Sequence, residues 1–401
     1  SWGTDYPTWR NEHPVDMLDE HYYRSPIWFA GKYHHYDNYD RKGPKIYVGE
    51  YAVTSDCGEG NLKAALGEAI YMMGMENNSD VVTMCSYAPV FVNIHDKTWM
   101  PDMIRFDAAH SWGSPSYYVQ RLFAENVGTT MVASEVTQTH RSRSTKFSVG
   151  LGSWNTEVEY KDVKLTIGNQ QKAIDNYKFG KGKWTIKNGI ISQSTQTTEC
   201  VAICPEEFNA TSYDLTLKAR KKDGDEGFLI IFDYFNEDNF KWLNLGGWGN
   251  TLHGIETTMA ASKSTTKTAT GTIEKERWYD IRIEVRDTQV RAFVDGQLIH
   301  DIEIGYPDML YANAMIDKNS GELVVKVVNF DDIDIPLQMN IKGGDIHTAT
   351  TTLLTAESGK AENTYSAPEH VIPTSIKPSV KNGSYTAPAN SLTIWRMKIS
   401  K

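Results

Sequence analysis

IYVGEYAV, residues Ile46–Val53, is an apolar run of β-branched and aromatic residues that carries one carboxylate, Glu50, near its end. The composition predicts a buried strand, and a buried strand does not end on an acid without a reason. An ionised carboxylate inside a fold is paired, hydrogen-bonded or open to a cleft. Barrel and doubly wound enzymes place their chemistry at this carboxyl end of the strand. Two readings of Glu50 therefore stand side by side: a salt-bridged structural residue and a catalytic one.

Outward from this strand, Gly43-Pro44 closes the segment before it. Val15–Tyr23 reads as a strand ending in DEHYY, Asp19–Tyr23. Ser25-Pro26 supplies an N-cap followed by Pro at the first helical position, and Ile27–Asp40 is expected to be a helix. After Glu50 a loop, Ser55–Gly60, leads to Leu62, Ala65, Leu66, Ala69, Ile70 and Met73, the spacing of an amphipathic helix. Val81–Tyr87 is the next buried strand, and Ser114-Pro115 caps a helix with Tyr118, Val119, Leu122 and Phe123 on one face. Alternating strands and helices indicate parallel β/α units. Three strands are too few to close a barrel.

Beyond Gly128 the period becomes alternating. Tyr213, Leu215, Leu217 and Ala219, then Ile281, Ile283 and Val285, interleave with polar residues as half-buried antiparallel strands do. Gly227–Phe235, Phe240–Leu245 and the Val290–Ile302 hairpin through Asp295-Gly296 extend this pattern, which indicates a β-sandwich. Further strands are expected at Glu322–Phe330, Ile335–Ile341 and Leu392–Ile399. Glu357–Ala389, rich in Ser, Pro, Asn and Gly, reads as a long loop.

The 401 residues suffice for two or three domains. A net charge of −10, with neither Lys nor Arg in runs, argues against a nucleic-acid partner. No apolar stretch approaches the ~20 residues of a membrane span, and the charged first twenty residues do not read as a targeting segment, so a soluble chain is expected. Cys200 and Cys204 fall on one expected strand, about 13 Å apart if extended and too far to bridge. Cys57 and Cys85 read as free thiols, and no spacing suggests a metal site.

Several motifs in one order carry a resemblance: DEHYY at Asp19–Tyr23, YVGEYA at Tyr47–Ala52, Trp99–Ile104 with Phe106-Asp107, Pro115–Tyr118, GELVVKVVN at Gly321–Asn329 and SLTIWRM at Ser391–Met397. Together they resemble glycoside hydrolase family 51, largely α-L-arabinofuranosidases. The resemblance implies a multidomain α/β plus all-β chain. Residues 1–127 would be the C-terminal portion of a (β/α)8 barrel, strands six to eight, and residues 128–149 with 306–401 a C-terminal β-sandwich. Residues 150–305 fall outside the family pattern; Leu151–Thr156 and RAFVDG at Arg291–Gly296 resemble an inserted concanavalin- or laminin-G-like jelly roll. There Trp242, Trp248 and Asp223–Asp225 are a candidate sugar or calcium site, weighed against a purely structural spacer.

The resemblance also makes Glu50, at the end of the seventh strand, the nucleophile of a retaining glycosidase. Such an enzyme needs one ionised carboxylate to attack the anomeric carbon and a protonated one about 5–5.5 Å away to serve the leaving oxygen. His21 and Tyr23 share a strand face and are assigned to support the nucleophile and the sugar, with Tyr22 replacing them if the register slips by one. Asn93 and Trp99 stand in for a sugar-contacting Gln where this sequence has Ala88-Pro89. Strands one to five and their Asn-Glu acid/base pair are missing from the sequence. Glu20 points away on the favoured register, and Glu59 reads as solvated.

The function implied is release of terminal α-L-arabinofuranose from plant arabinan or arabinoxylan, with the acid/base supplied by a missing N-terminal barrel half. The alternatives are a catalytically inactive carbohydrate-binding or structural fragment, or a related endo-glucanase or xylanase. No cofactor is implied. The relatives imply a homo-oligomer and a bacterial periplasmic or secreted setting.

Overall fold

The structure is a computed structural model; it describes residues 15–137, 146–259, 262–304, 308–342, 345–377 and 383–400. The chain forms two compact units, one of residues 1–138, 260–262 and 307–401, the other of residues 139–259 and 263–306. It is mostly β-structure.

The first unit begins with β1 (Met17–Arg24), α1 (Pro26–Ala30), β2 (Lys45–Val53), α2 (Leu62–Asn77), β3 (Val82–Tyr87) and α3 (Pro115–Glu125). The three strands form a parallel sheet in the order β1–β2–β3. Ser25 caps α1 as expected, its hydroxyl accepting from Trp28 N–H. The helix stops at Ala30, however, where Asp40 was expected to end it. Residues 31–39 instead run through successive i→i−3 turns, because the aromatic side chains there are drawn individually into buried contacts: Tyr36 and Tyr39 both reach Glu20.

Asn61 caps α2, its side chain accepting from Ala64 N–H at 2.9 Å. The expected amphipathic character is absent, since every residue from Leu62 to Met75 is buried. One side of α2 faces the parallel sheet. The rest is covered by α1, by α3 and by the six-stranded sheet that contains Leu310–Asp317, Glu322–Asn329 and Ser391–Ser400. There Glu76 pairs with the fully buried Lys326 and accepts from Asn313 at 2.9 Å. Lys63 donates to the Phe330 carbonyl at 2.6 Å. The core of this sheet is Leu323, Val325, Val327, Trp395 and Met397, with Tyr385.

The loop expected over Glu357–Ala389 is in part regular. Thr374–Ile376 joins the six-stranded sheet and Ser384–Ala387 pairs with Ile335–Gln338, while Gly359 and Ala361 accept from the first N–H groups of α2. Those donors have no partner inside a helix.

The second unit is a pair of eight-stranded sheets. Leu151, Phe228, Ile230 and Leu243 of one sheet and Tyr160, Leu215, Ile281 and Ile283 of the other share one core, so the alternation read in the sequence is that of a sandwich. Asp295 and Gly296, both at positive φ, turn the expected hairpin. Lys146–Ser153 is a strand of this unit, which puts residues 146–149 here; in the sequence they read as part of the C-terminal sandwich. All four cysteines are free.

Candidate active site

Strand alternation on β1 puts Leu18, Glu20 and Tyr22 on the buried, helix-facing side and Asp19, His21 and Tyr23 on the other. On β2, Ile46 and Val48 are buried towards the helices, and continued alternation would send Glu50 after them. The chain avoids this with a bulge. Glu20 pairs with Val48 but His21 pairs with Glu50, so Gly49 is an extra residue. Beyond it the parity of the strand inverts: Tyr51 goes to the helices and Glu50 joins His21 and Tyr23.

The missing side chain of Gly49 is part of the site. A Cβ there would lie 2.1 Å from Asp19 Oδ1 and 2.9 Å from His21 Nε2. In that space Asp19 Oδ1 accepts from Gly49 N–H at 3.1 Å and Oδ2 lies 3.2 Å from His21 Nε2. His21 Nδ1 lies 3.4 Å from Glu50 Oε2, and the Tyr23 hydroxyl donates to the same Glu50 oxygen at 2.5 Å. Burial, followed by this hydrogen bond, raises the pKa of the Tyr23 phenol and keeps it a donor. Glu50 remains 44% exposed. The arrangement is a carboxylate at a strand end, open on one side and held on the other by a phenol and an imidazole.

The other expected residues divide. Trp99 lies beside the site, its ring centroid 5.8 Å from that of Tyr23. Its loop is tied down by Glu59, which binds Arg105 at 3.0 Å and Lys97 at 3.1 Å. Glu59 keeps the solvent exposure expected of it, at 43%, and is also a clamp between the loops after β2 and β3. Asn93 is turned to its own loop, where its Oδ1 accepts from His95 N–H; no contact among the described residues links it to Glu50. Tyr22 is buried on the helix side because β1 carries no bulge. It donates to Glu20 at 2.9 Å, as do Tyr36 at 3.2 Å and Tyr39 at 3.1 Å. Glu20 is therefore a buried structural carboxylate held by three phenols. Asp19 and Gly49 went unassigned in the sequence, although Asp19 shares the i, i+2, i+4 face of His21 and Tyr23.

In the second unit the expected residues do not assemble into a site. Trp242 is buried with its Nε1 donating to Glu256 at 2.6 Å, Asp223 pairs with Lys275, and the Trp248 ring lies against Gly254.

The family model for the α-L-arabinofuranosidase C-terminal domain matches residues 49–391. The chain belongs to this family. Over 412 aligned residues, 99% of this chain and 49% of the relative, it is 36% identical to an extracellular exo-α-L-arabinofuranosidase of Streptomyces chartreusis. It is 44% identical over 164 residues to α-L-arabinofuranosidase 1 of Arabidopsis thaliana, covering 40% of this chain and 23% of that one. Among solved structures, the Thermotoga maritima α-L-arabinofuranosidase in its arabinose complex aligns over 95% of this chain and 52% of its own, at 12% identity and a TM-score of 0.47. The resemblance of the motifs to family 51 arabinofuranosidases thus stands on the family model and the Streptomyces relative. The chain spans about half the length of that relative.

Proposed function

We propose that this chain carries the nucleophile side of a retaining α-L-arabinofuranosidase, with Glu50 attacking the anomeric carbon of a terminal α-L-arabinofuranose. The observation that carries the proposal is the half-open Glu50 carboxylate with Tyr23 and His21 on one of its oxygens. Donors on Oε2 hold the side chain in place and leave Oε1 to face substrate. As the glycosyl–enzyme bond forms, charge leaves the carboxylate and the Tyr23 bond weakens. As water releases the sugar, the charge returns and the bond strengthens, which lowers the second barrier. Trp99 offers an apolar face to the sugar.

In this proposal the general acid comes from barrel residues beyond this sequence. Among the described carboxylates Glu20, Asp19 and Glu59 are each committed to other partners. Residues 1–127 act as barrel strands six to eight, 150–305 as an inserted jelly roll, and arabinan or arabinoxylan as substrate. The extracellular name of the Streptomyces relative supports a secreted protein; no helix among the described residues is long and apolar enough to cross a membrane.

The test is hydrolysis of 4-nitrophenyl α-L-arabinofuranoside by this chain alone and mixed with an N-terminal barrel half, each beside a Glu50→Gln control. Activity confined to the mixture and lost in Glu50→Gln is the expected result. Activity that survives Glu50→Gln refutes the assignment. Inactivity of a folded, associated mixture favours a binding or structural chain.

A further inference from the structure

The segment 357–371 is used by no part of the catalytic proposal. It belongs to the first unit, as does Glu50, and its start is anchored where Gly359 and Ala361 receive the first N–H groups of α2. The next two side chains reach the loops after β2 and β3. Glu362 Oε1 accepts from Glu59 N–H at 3.0 Å. Gly58 makes room for it: this residue lies at positive φ, and a Cβ there would stand 1.8 Å from that oxygen. Asn363, only 1% exposed, donates to the Gly113 carbonyl at 2.9 Å and exchanges hydrogen bonds with the backbone of Val371.

Gly113 ends a small sheet formed by Phe91–Asn93, Ile104–Phe106 and Ser111–Gly113. Trp99 sits in the connection between the first two of these strands and is 53% exposed, so packing of its own ring does little to fix it. Two cations flank it in the chain, Lys97 two residues before and Arg105 six after, and both bind Glu59. The Lys97 pair lies near the surface and contributes little. The Arg105 side chain is 4% exposed, and a buried guanidinium without its carboxylate is costly. The place of Trp99 beside Tyr23 therefore depends on where Glu59 stands, and the backbone of Glu59 is held by Glu362. Asn363 fixes the far end of the same small sheet, where Trp112 pairs with Arg105.

We propose that Glu362 is a positioning residue of the Glu50 site, anchored by Asn363, which fixes the loops after β2 and β3 so that Trp99 meets the sugar. The inference rests on the catalytic reading and adds to it a carboxylate 303 residues beyond Glu59 in the chain. A platform that touches the sugar in ground state and transition state alike contributes uniform binding, so its misplacement raises KM and leaves kcat nearly unchanged.

The experiment follows hydrogen–deuterium exchange of the 401-residue chain, unaltered and as Glu362→Ala and Glu362→Gln, beside hydrolysis of 4-nitrophenyl α-L-arabinofuranoside by each chain mixed with the proposed N-terminal barrel half. Gln keeps an oxygen that can accept from Glu59 N–H, and Ala keeps none. Expected in Glu362→Ala are faster exchange over residues 94–106, unchanged protection of α2, and a KM raised about three- to tenfold, the size of one lost hydrogen bond, with kcat nearly unchanged. Glu362→Gln should restore both the exchange and the KM. Unchanged exchange over residues 94–106 in Glu362→Ala overturns the inference, as does a Gln variant no better than the Ala one. Loss of α2 protection also overturns it, because the role of Glu362 would then be general stability. A loop loosened in Glu362→Ala without Glu50-dependent hydrolysis in any mixture retires the catalytic proposal and keeps the coupling between the two segments. Glu50-dependent hydrolysis with one KM for all three chains does the reverse.

Discussion

His21 has a carboxylate oxygen near each ring nitrogen, Asp19 on one side and Glu50 on the other. A neutral imidazole has one N–H and can donate to only one of them; the imidazolium donates to both. In the proposed reaction Asp19 therefore serves Glu50 through His21, as a positioning residue. Asp19→Asn keeps the size of the side chain and removes its charge, and is expected to lower kcat about tenfold in the reconstituted mixture with KM little changed. Tyr23→Phe deletes a hydrogen bond to a charged group, worth roughly 1.5–3 kcal/mol, so kcat/KM should fall about 10- to 100-fold with the fold intact by circular dichroism. The part of this site legible in the sequence was the alternation on β1, which paired His21 with Tyr23. The face of Glu50 was not derivable from alternation, because the residue that sets it, Gly49, looks in sequence like any glycine in a strand.

The elements show the same division between local pattern and distant partner. Helix α2 announces itself by its spacing, but its second face is covered by strands more than two hundred residues later in the chain, and no window of sequence contains both. Two buried groups on α2 can be tested. Lys326→Ala leaves the largely buried Glu76 carboxylate without its cation and should cost about 3 kcal/mol, read as a fall in the urea midpoint. Glu68 is buried beneath the end of β2, where its Oε1 accepts from Val53 N–H at 2.9 Å. Burial raises its pKa from 4.5 to about 7. An acid whose pKa is higher in the folded state favours folding while protonated, so its contribution is full below about pH 4.5 and is lost as pH rises through 7. Stability should therefore decline by up to about 3 kcal/mol over that interval. Glu68→Gln, which keeps the acceptor, should flatten this part of the curve in denaturant titrations at successive pH values. The helix expected over 27–40 ends at Ala30 for a related reason: Tyr36 and Tyr39 each bind Glu20, and that buried acid lies on a strand before them.

For the molecule as a whole, change of period along the chain was enough to separate β/α units from sandwich strands, since each unit closes its own core. Among the described residues, the outer edges of β1 and β3 carry no strand partner, and Met17 and Met84 on these strands are exposed. Unpaired edges of this kind recruit further strands. At micromolar concentration the isolated chain should sediment as more than one species, and addition of the proposed N-terminal barrel half should collapse these to one. A single monomeric boundary without the addition would show that the edges are protected in another way.

The bulge at Gly49 divides β2 into two halves of opposite handedness of address: before it, even-numbered side chains go to the helices, and after it odd-numbered ones do. The position of the acid is thus set by a count of residues together with the glycine that the bulge accommodates. Pairing that one glycine in regular register with β1 would alter no chemical group in the protein, yet it would exchange Glu50 with Tyr51 across the sheet. Chemistry at this site is written in the chain's arithmetic as much as in its alphabet.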